Sequence, residues 1–468
     1  MSGPLFRTKP LLELLSETTE AGHSLKKTLR VWDLIALGIG CIIGVGIFVL
    51  PGVQAARHSG PGIILSFGIA ALSCGCSALC YAELAAMIPV AGSAYTYGYA
   101  TLGELPAWVI GWDLILEYMV AAVLVSTGWS AYLVNLLSNL GIHVPHAICA
   151  SPWDRVPGTL NLPAVFIVGI LTLLLMRGVK ESSRVNLIVV TVKIAVILFF
   201  IVLAVNYIKP VNWKPFMPFG FGGVMTSAAI VFLAYVGFDA VSTAAEESIN
   251  PQRDMPIGII ASLLVATVLY VSVSAIMTGT VPYSQLDVAD PIALVLNALG
   301  KPWASMIISI GAISGITSVL LVLLLGQPRI LFAMSRDGLL PGFLSKVHLR
   351  FKTPHLTTLT TGIIVATAAA LTPINVSSEL CSIGTLFAYM IVCAGVIVLR
   401  YSRPELKRPF RVPLFPGLPA IGFLLCGYLM ISLPFTAWER FIAWLLIGLS
   451  IFFIYGRAHS RLAESRGR

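Results

Sequence analysis

The chain has 468 residues, 57% of them hydrophobic and 11% charged, with a formal net charge of +9. Soluble domains carry about a quarter charged residues, so this composition excludes a water-soluble globular protein. No nucleic-acid motif accompanies the positive charge, for which anionic lipid headgroups are a sufficient partner.

Apolar runs recur from Val31 to Tyr455, each long enough for a hydrocarbon core of roughly 30 Å. They predict twelve spans, at 31–55, 62–87, 106–138, 159–177, 185–207, 222–245, 256–280, 303–333, 357–372, 379–400, 417–434 and 440–457. Residues 1–30 are polar and mixed, so no cleavable signal peptide is expected ahead of span 1. Twelve spans put both termini on one side. Six of the 30 Lys and Arg (Arg57, Arg155, Lys209, Lys214, Lys301, Arg440) fall on the opposite side, and Lys193 falls within a span. The rest lie with the termini, which the positive-inside rule places in the cytoplasm. The expected location is therefore the plasma membrane, multi-pass. Three segments are expected: a cytoplasmic lead-in (1–30), a transmembrane domain (31–457) and a cytoplasmic tail (458–468).

In chain order, LLELLSETTEAGHSLKKTLR at 11–30 fits either a helix lying on the membrane or a solvated tail. Span 1 contains GIGCIIGVGIF, residues 38–48, with glycine at 38, 40, 44 and 46. Each glycine removes about 1 kcal/mol of helix preference. The small-xxx-small spacing keeps a packing role open. The functional reading is a helix break near residues 42–45. It frees N–H groups at the start of a second half-helix, where the dipole favours a carboxylate, and carbonyls at the end of the first.

In span 2, Cys74, Cys76 and Cys80 read as small packing residues, not metal ligands. Of the eight cysteines only Cys149 falls in an outside loop, and none of the seven histidines lies deep in a span. No metal site and no cofactor are expected. In span 3, Asp113 and Glu117 share one helical face. Asp113 is expected to pair with inside-loop arginines. The deeper Glu117 is expected to face a substrate cavity, either as a neutral donor or as a charge attracting a cationic group. In span 5, Lys193 lies about 10 Å beyond Asn186 along the helix. It either snorkels to the interface or stays buried, where an ionisable group is a functional candidate.

Span 6 reads VFLAYVGFDAVSTAAEE, with a second break expected around Leu233 to Gly237. Asp239 either caps the following half-helix or gates. Glu246 and Glu247 are expected on a solvated face, and Arg329 and Arg336 at the interface. Interrupted spans at matching places in two five-span halves point to an inverted-repeat transporter, with spans 11 and 12 outside the repeat. Broken backbone at this depth must line a cavity or be buried in protein. The paired breaks then hold carboxylate on one side and ammonium on the other, the poles of a free α-amino acid. Span 8 is expected to floor the pocket with Ile313, Ile316, Leu320 and Leu321. With no second deep carboxylate expected beside Glu117, small neutral amino acids such as alanine are favoured.

Four stretches carry a resemblance: GIGCIIGVGIF, IPVAGSAYTYGYATLGELPAWVIGWDLILEY, AYVGFDAVSTAAEE and GQPRILFAMSRDGLLP. Over nearly its whole length the sequence resembles the amino acid–polyamine–organocation superfamily, specifically a bacterial member of its cationic amino acid transporter branch. The resemblance implies an all-α integral membrane fold: a five-plus-five inverted repeat with discontinuous helices 1 and 6, plus two extra C-terminal helices. It implies that the substrate carboxylate sits on the amides of Gly44, Val45 and Gly46, and the ammonium on the carbonyls of Ile42, Leu233 and Val236. The position that carries a gating aromatic in some relatives holds Leu233 here, with Phe232 beside it. Leu321 joins the expected substrate contacts. In proton-coupled relatives a span 5 lysine stands where sodium binds in others. Lys193 matches it, so H+ rather than Na+ is the expected coupling ion, with Lys193 and Glu117 as proton-coupling residues.

The expected function is import of L-amino acids by proton symport and alternating access, with spans 3, 4, 8 and 9 static. A cationic amino acid transporter, an exchanger and a sensor that binds without transporting are the alternatives. No HExxH, intramembrane aspartate pair or serine–histidine dyad supports an enzyme. Expected partners are the amino acid and membrane lipids, with no nucleic acid and with room left for a small membrane accessory subunit.

Overall fold

Within lipid every backbone N–H and C=O must be paired inside the protein, which favours helices. The computed structural model describes residues 7–10, 27–152, 158–288, 290–348, 351, 353–372, 374–431, 433 and 435–462. Residues 11–26 of the lead-in, Arg155 and the end of the tail lie outside them. The described residues are helical, with an isolated β-bridge joining Leu29 to Ser248.

Among the described residues, 8 helices are long and apolar enough to cross a membrane, and they fall at expected spans 2, 3, 5, 6, 7, 8, 10 and 12. Spans 1, 4, 9 and 11 appear as shorter apolar helices, Val31–Ile42, Leu162–Arg177, His355–Leu371 and Gly417–Ile431. Two short helices were not expected: Ala94–Thr101 ahead of span 3 and Pro291–Ala298 ahead of span 8.

The two interruptions sit where the glycines and the motif of span 6 put them. Span 1 is helical over Val31–Ile42, extended at Ile43 (φ −83°, ψ 95°), and helical again over Val45–Phe48. Span 6 is helical over Gly220–Val231, tightens to a 3-10 turn at Phe232–Tyr235, opens at Val236 (φ −60°, ψ 137°), and resumes at Ala240–Thr243. Gly237 has φ +117°, and a Cβ there would stand 2.5 Å from Cys41 Sγ. Only glycine takes that backbone without strain, so the break in span 6 rests directly on span 1. Gly38 and Gly40 serve packing: a Cβ would meet Ser262 Oγ of span 7 at 2.3 Å and Asn186 Oδ1 of span 5 at 2.8 Å.

Two packed groups result. Spans 1, 2, 6 and 7 contact one another, as do spans 3, 4, 8 and 9. Span 5 packs on spans 1 and 8, and span 10 on spans 2 and 3, so each bridges the groups. Spans 11 and 12 lie outside, against span 10 and against spans 2 and 3 respectively. Indole rings fasten span 12: Trp112 stacks on Trp444 with centroids 4.5 Å apart, and each donates its N–H to the other's carbonyl.

Candidate functional site

Between the two groups lies a cavity of about 360 Å³, walled mostly by apolar side chains. Both breaks open onto it. Of the residues singled out in the sequence, Ile42, Gly44, Gly46, Glu117, Leu233 and Val236 line it. Val45 begins the second half-helix of span 1. The first N–H groups of a helix have no partner within it, so the turn from Gly44 to Gly46 presents donors at the cavity wall. A Cβ on Gly44 would meet Val319 Cγ2 at 2.8 Å, and one on Gly46 would meet Ala234 Cβ at 2.8 Å. Side chains here would push the two spans off the break.

Other expectations need correction. Phe232 does not line the cavity; it is buried in the 3-10 turn against Tyr389. Leu321, like Ile313 and Leu320, is not among the residues lining the cavity, whereas the expected Ile316 is. The cavity side of span 8 carries Ile316, Val319 and Leu323, the i, i+3, i+7 stripe of one helical face. A run of consecutive apolar residues gives no periodicity from which to choose that face. A second carboxylate does join Glu117, since Asp239 lines the same cavity. Asp239 makes no cap hydrogen bond to the half-helix after it. Its carboxylate accepts instead from Tyr118 (2.8 Å) and Tyr389 (2.9 Å). Glu117 Oε1 accepts from Thr385 Oγ1 at 2.5 Å, and Oε2 has no partner among the described residues.

Lys193 is fully buried and does not snorkel. Its ammonium donates to the carbonyls of Ile39 (2.9 Å), Gly40 (3.0 Å) and Ile43 (2.7 Å), and to Ser318 Oγ (2.7 Å). It thus ties span 5 to the carbonyl end of the span 1 break and to span 8, on the side of the break away from the cavity. Sequence reasoning missed a comparable device in span 7. The buried Tyr270 hydroxyl lies 2.8 Å from both the Ile42 and the Ala234 carbonyls, so one side chain bridges the two breaks. The available signal was a lone tyrosine in the apolar run TVLYVSVSA.

At the end of the molecule where Lys9 and Ser460 lie, Glu246 and Glu247 are buried, not solvated. Arg336 donates to Glu246 at 2.9 Å, and Arg329 pairs with Glu247 at 2.6 Å, so neither arginine stays at the interface. The chain between spans 2 and 3 folds over them, and Ala91 N–H donates to Glu246. Lys9 and Tyr95 both donate to Asp337 nearby. Asp113 does not pair with an arginine. Arg329, Arg336 and Arg400 are committed to Glu247, Glu246 and Glu83, and neither carboxyl oxygen of Asp113 has a partner among the described residues.

Two interrupted helices around one cavity, in an apolar all-helical chain, define a multi-pass membrane protein of the permease type. The chain belongs to the amino acid permease family, within the amino acid–polyamine–organocation superfamily: the Amino acid permease family model matches residues 29–454. It is 53% identical over 468 residues to the branched-chain amino acid permease BcaP of Bacillus subtilis (strain 168), covering 99% of this chain and 100% of that protein. The methylthioribose transporter of the same organism is 50% identical over 458 residues, covering 98% and 99%. The vacuolar cationic amino acid transporter 4 of Arabidopsis thaliana is 39% identical over 389 residues, covering 82% of this chain and 65% of its own.

Proposed function

We propose that the protein imports neutral, apolar L-amino acids across the cell membrane by proton symport and alternating access, with both termini in the cytoplasm. The observation that carries the reading is that both backbone breaks face one apolar cavity. In this reading the amides at Gly44, Val45 and Gly46 take the carboxylate. The carbonyls of Ile42, Leu233 and Val236 take the ammonium, and Ile316, Val319 and Leu323 surround the side chain. A cavity of about 360 Å³ has room for a branched aliphatic side chain as well as for alanine. The branched-chain permease name of a 53% identical relative favours the larger substrates. A cationic substrate is less favoured, because of the two acids lining the cavity Asp239 is held by two tyrosine hydroxyls and only Glu117 has an oxygen open.

Lys193 supplies the coupling. Its ammonium holds three carbonyls next to the substrate's own seat, so losing its proton would loosen the turn that grips the carboxylate. The packing of spans 1, 2, 6 and 7 against spans 3, 4, 8 and 9 supports a five-plus-five inverted repeat with the first group moving. Spans 11 and 12 complete one domain at 31–457, between a lead-in at 1–30 and a tail at 458–468. The permease and transporter names of the relatives support transport rather than catalysis.

The test is uptake of labelled leucine by purified protein in liposomes with an imposed inward proton gradient, competed by alanine, arginine and methylthioribose. Acceleration by the gradient and competition by alanine are expected. Uptake indifferent to the gradient would remove the symport reading. A second reading, carriage of a neutral thio-sugar, draws on the relative named a methylthioribose transporter; dominant competition by methylthioribose would establish it.

A further inference from the structure

Among the described residues nothing compensates the burial of Asp113. The side chain is fully buried, and both carboxyl oxygens lack a hydrogen-bond partner among the described residues. Gly384 of span 10 makes room for it: a Cβ there would stand 2.8 Å from Asp113 Oδ1 and 3.6 Å from Glu117 Cβ. Glu117 follows one turn later on the same face. It lines the cavity, with Oε1 on Thr385 and Oε2 unpartnered.

Among the described residues, the other ionisable groups considered on elements packed against span 3 are engaged elsewhere, exposed or at helix ends; the side chain of Glu379 on span 10 lies outside them. On span 6, Asp239 is held by Tyr118 and Tyr389. On span 8, Arg329 and Arg336 hold Glu247 and Glu246, and on span 10 Arg400 holds Glu83. Tyr95 of the short helix before span 3 donates to Asp337. Glu439 and Arg440 of span 12 are exposed. Arg177 and His355 lie at the ends of the span 4 and span 9 helices. Asp113 and Glu117 are therefore two neighbouring acids with no cation between them among the described residues. In a low dielectric two such groups do not both ionise, so the pair holds at least one proton.

We propose that Asp113 is a proton-carrying residue, receiving the proton of the Glu117 carboxyl and passing it towards the end of the molecule where Lys9 and Ser460 lie. The step is a plain transfer. Asp113 first gives up its own proton towards that end, and Glu117 then goes from acid to carboxylate as Asp113 returns from carboxylate to acid; this second leg leaves the charge of the pair unchanged. It needs a torsion of either side chain or one bridging water. Asp113 lies between Glu117 and the first residue of the span, Glu104, so the transfer moves the proton about 6 Å along the helix. This inference rests on the symport reading and adds a route to it. Lys193 sits behind the span 1 break, whereas Glu117 opens on the cavity and adjoins Asp113.

The experiment compares the wild type, Asp113→Asn and Asp113→Glu in liposomes, measuring labelled leucine in two modes: accumulation driven by a proton gradient, and counterflow against unlabelled leucine without one. Asp113→Asn is expected to keep counterflow and lose driven accumulation by about tenfold or more. Asp113→Glu is expected to restore accumulation with a shifted pH profile. Wild-type accumulation and an unchanged pH profile in Asp113→Asn would overturn the relay. Loss of counterflow in both variants would also overturn it, by marking a packing role. A wild type indifferent to the gradient would bring down the symport reading itself, a result distinguished by appearing without any substitution.

Discussion

The span 1 break has two faces of opposite character. On one face Ile42, Gly44 and Gly46 border an apolar cavity shared with Leu233 and Val236. On the other, the carbonyls of Ile39, Gly40 and Ile43 converge on a single buried ammonium backed by Ser318. One peptide turn serves both. Where the first half-helix stops, its last carbonyls point out past its end, and the first N–H groups of the second half point out of its start, so a cation and an anion are favoured on the two sides of the same residues. The lesson is that a charge fixed on one face sets the geometry offered on the other. Span 6 differs: its freed carbonyl at Ala234 meets the neutral Tyr270 hydroxyl.

The contrast orders the expected effects. Lys193→Ala takes a charge from the closed face and one hydrogen bond from each of three carbonyls, although the Ile39 carbonyl keeps the Ile43 N–H and the Gly40 carbonyl keeps Ser318 Oγ. Hydrogen bonds to charged groups are worth about 1.5–3 kcal/mol each, so gradient-driven leucine uptake in liposomes should fall roughly a hundredfold. Counterflow should weaken with it, because the turn that seats the carboxylate is loosened; retention of both would separate the two faces. Next comes Gly237→Ala. A side chain at φ +117° that also intrudes on Cys41 carries about 1–3 kcal/mol of strain. Uptake should fall about tenfold, with a lower melting temperature of the purified protein; no change in either would show that the two spans do not rest on each other there.

Substitutions on the open face should discriminate, not abolish. Leu323→Trp fills the cavity beside Val319. Leucine transport should fall about tenfold while alanine transport changes little, in keeping with roughly 1–3 kcal/mol per methylene in an apolar pocket. Equal loss for both substrates would place the side-chain pocket elsewhere. The smallest effect is expected for Tyr270→Phe, which removes the hydroxyl between the Ile42 and Ala234 carbonyls. At about 1 kcal/mol for a neutral hydrogen bond, KM for leucine should rise about fivefold with kcat nearly intact.

The two breaks were legible in the sequence because glycine clusters and the span 6 motif are local signals, and Lys193 because a charge stands out in an apolar run. What lay hidden was long-range. Asp239 meets Tyr118 and Tyr389, 121 and 150 positions away, and Glu246 meets Arg336, 90 positions away. No periodicity encodes such pairs. Solvation was wrongly assigned to Glu246 and Glu247 because the chain from Ile88 to Gly92, which covers them, reads as an ordinary loop. On span 8 Ile316 was placed rightly, but Leu320 and Leu321 were chosen over Val319 and Leu323, since LLVLLL is apolar all round.

The most direct test of the central claim is binding to the purified protein of leucine, of its decarboxylated amine and of its deaminated acid, compared by calorimetry. If the breaks in spans 1 and 6 hold the two poles of one molecule, only leucine should bind, with each truncated analogue weaker by about a hundredfold or more. Equal binding by either analogue would contradict the account.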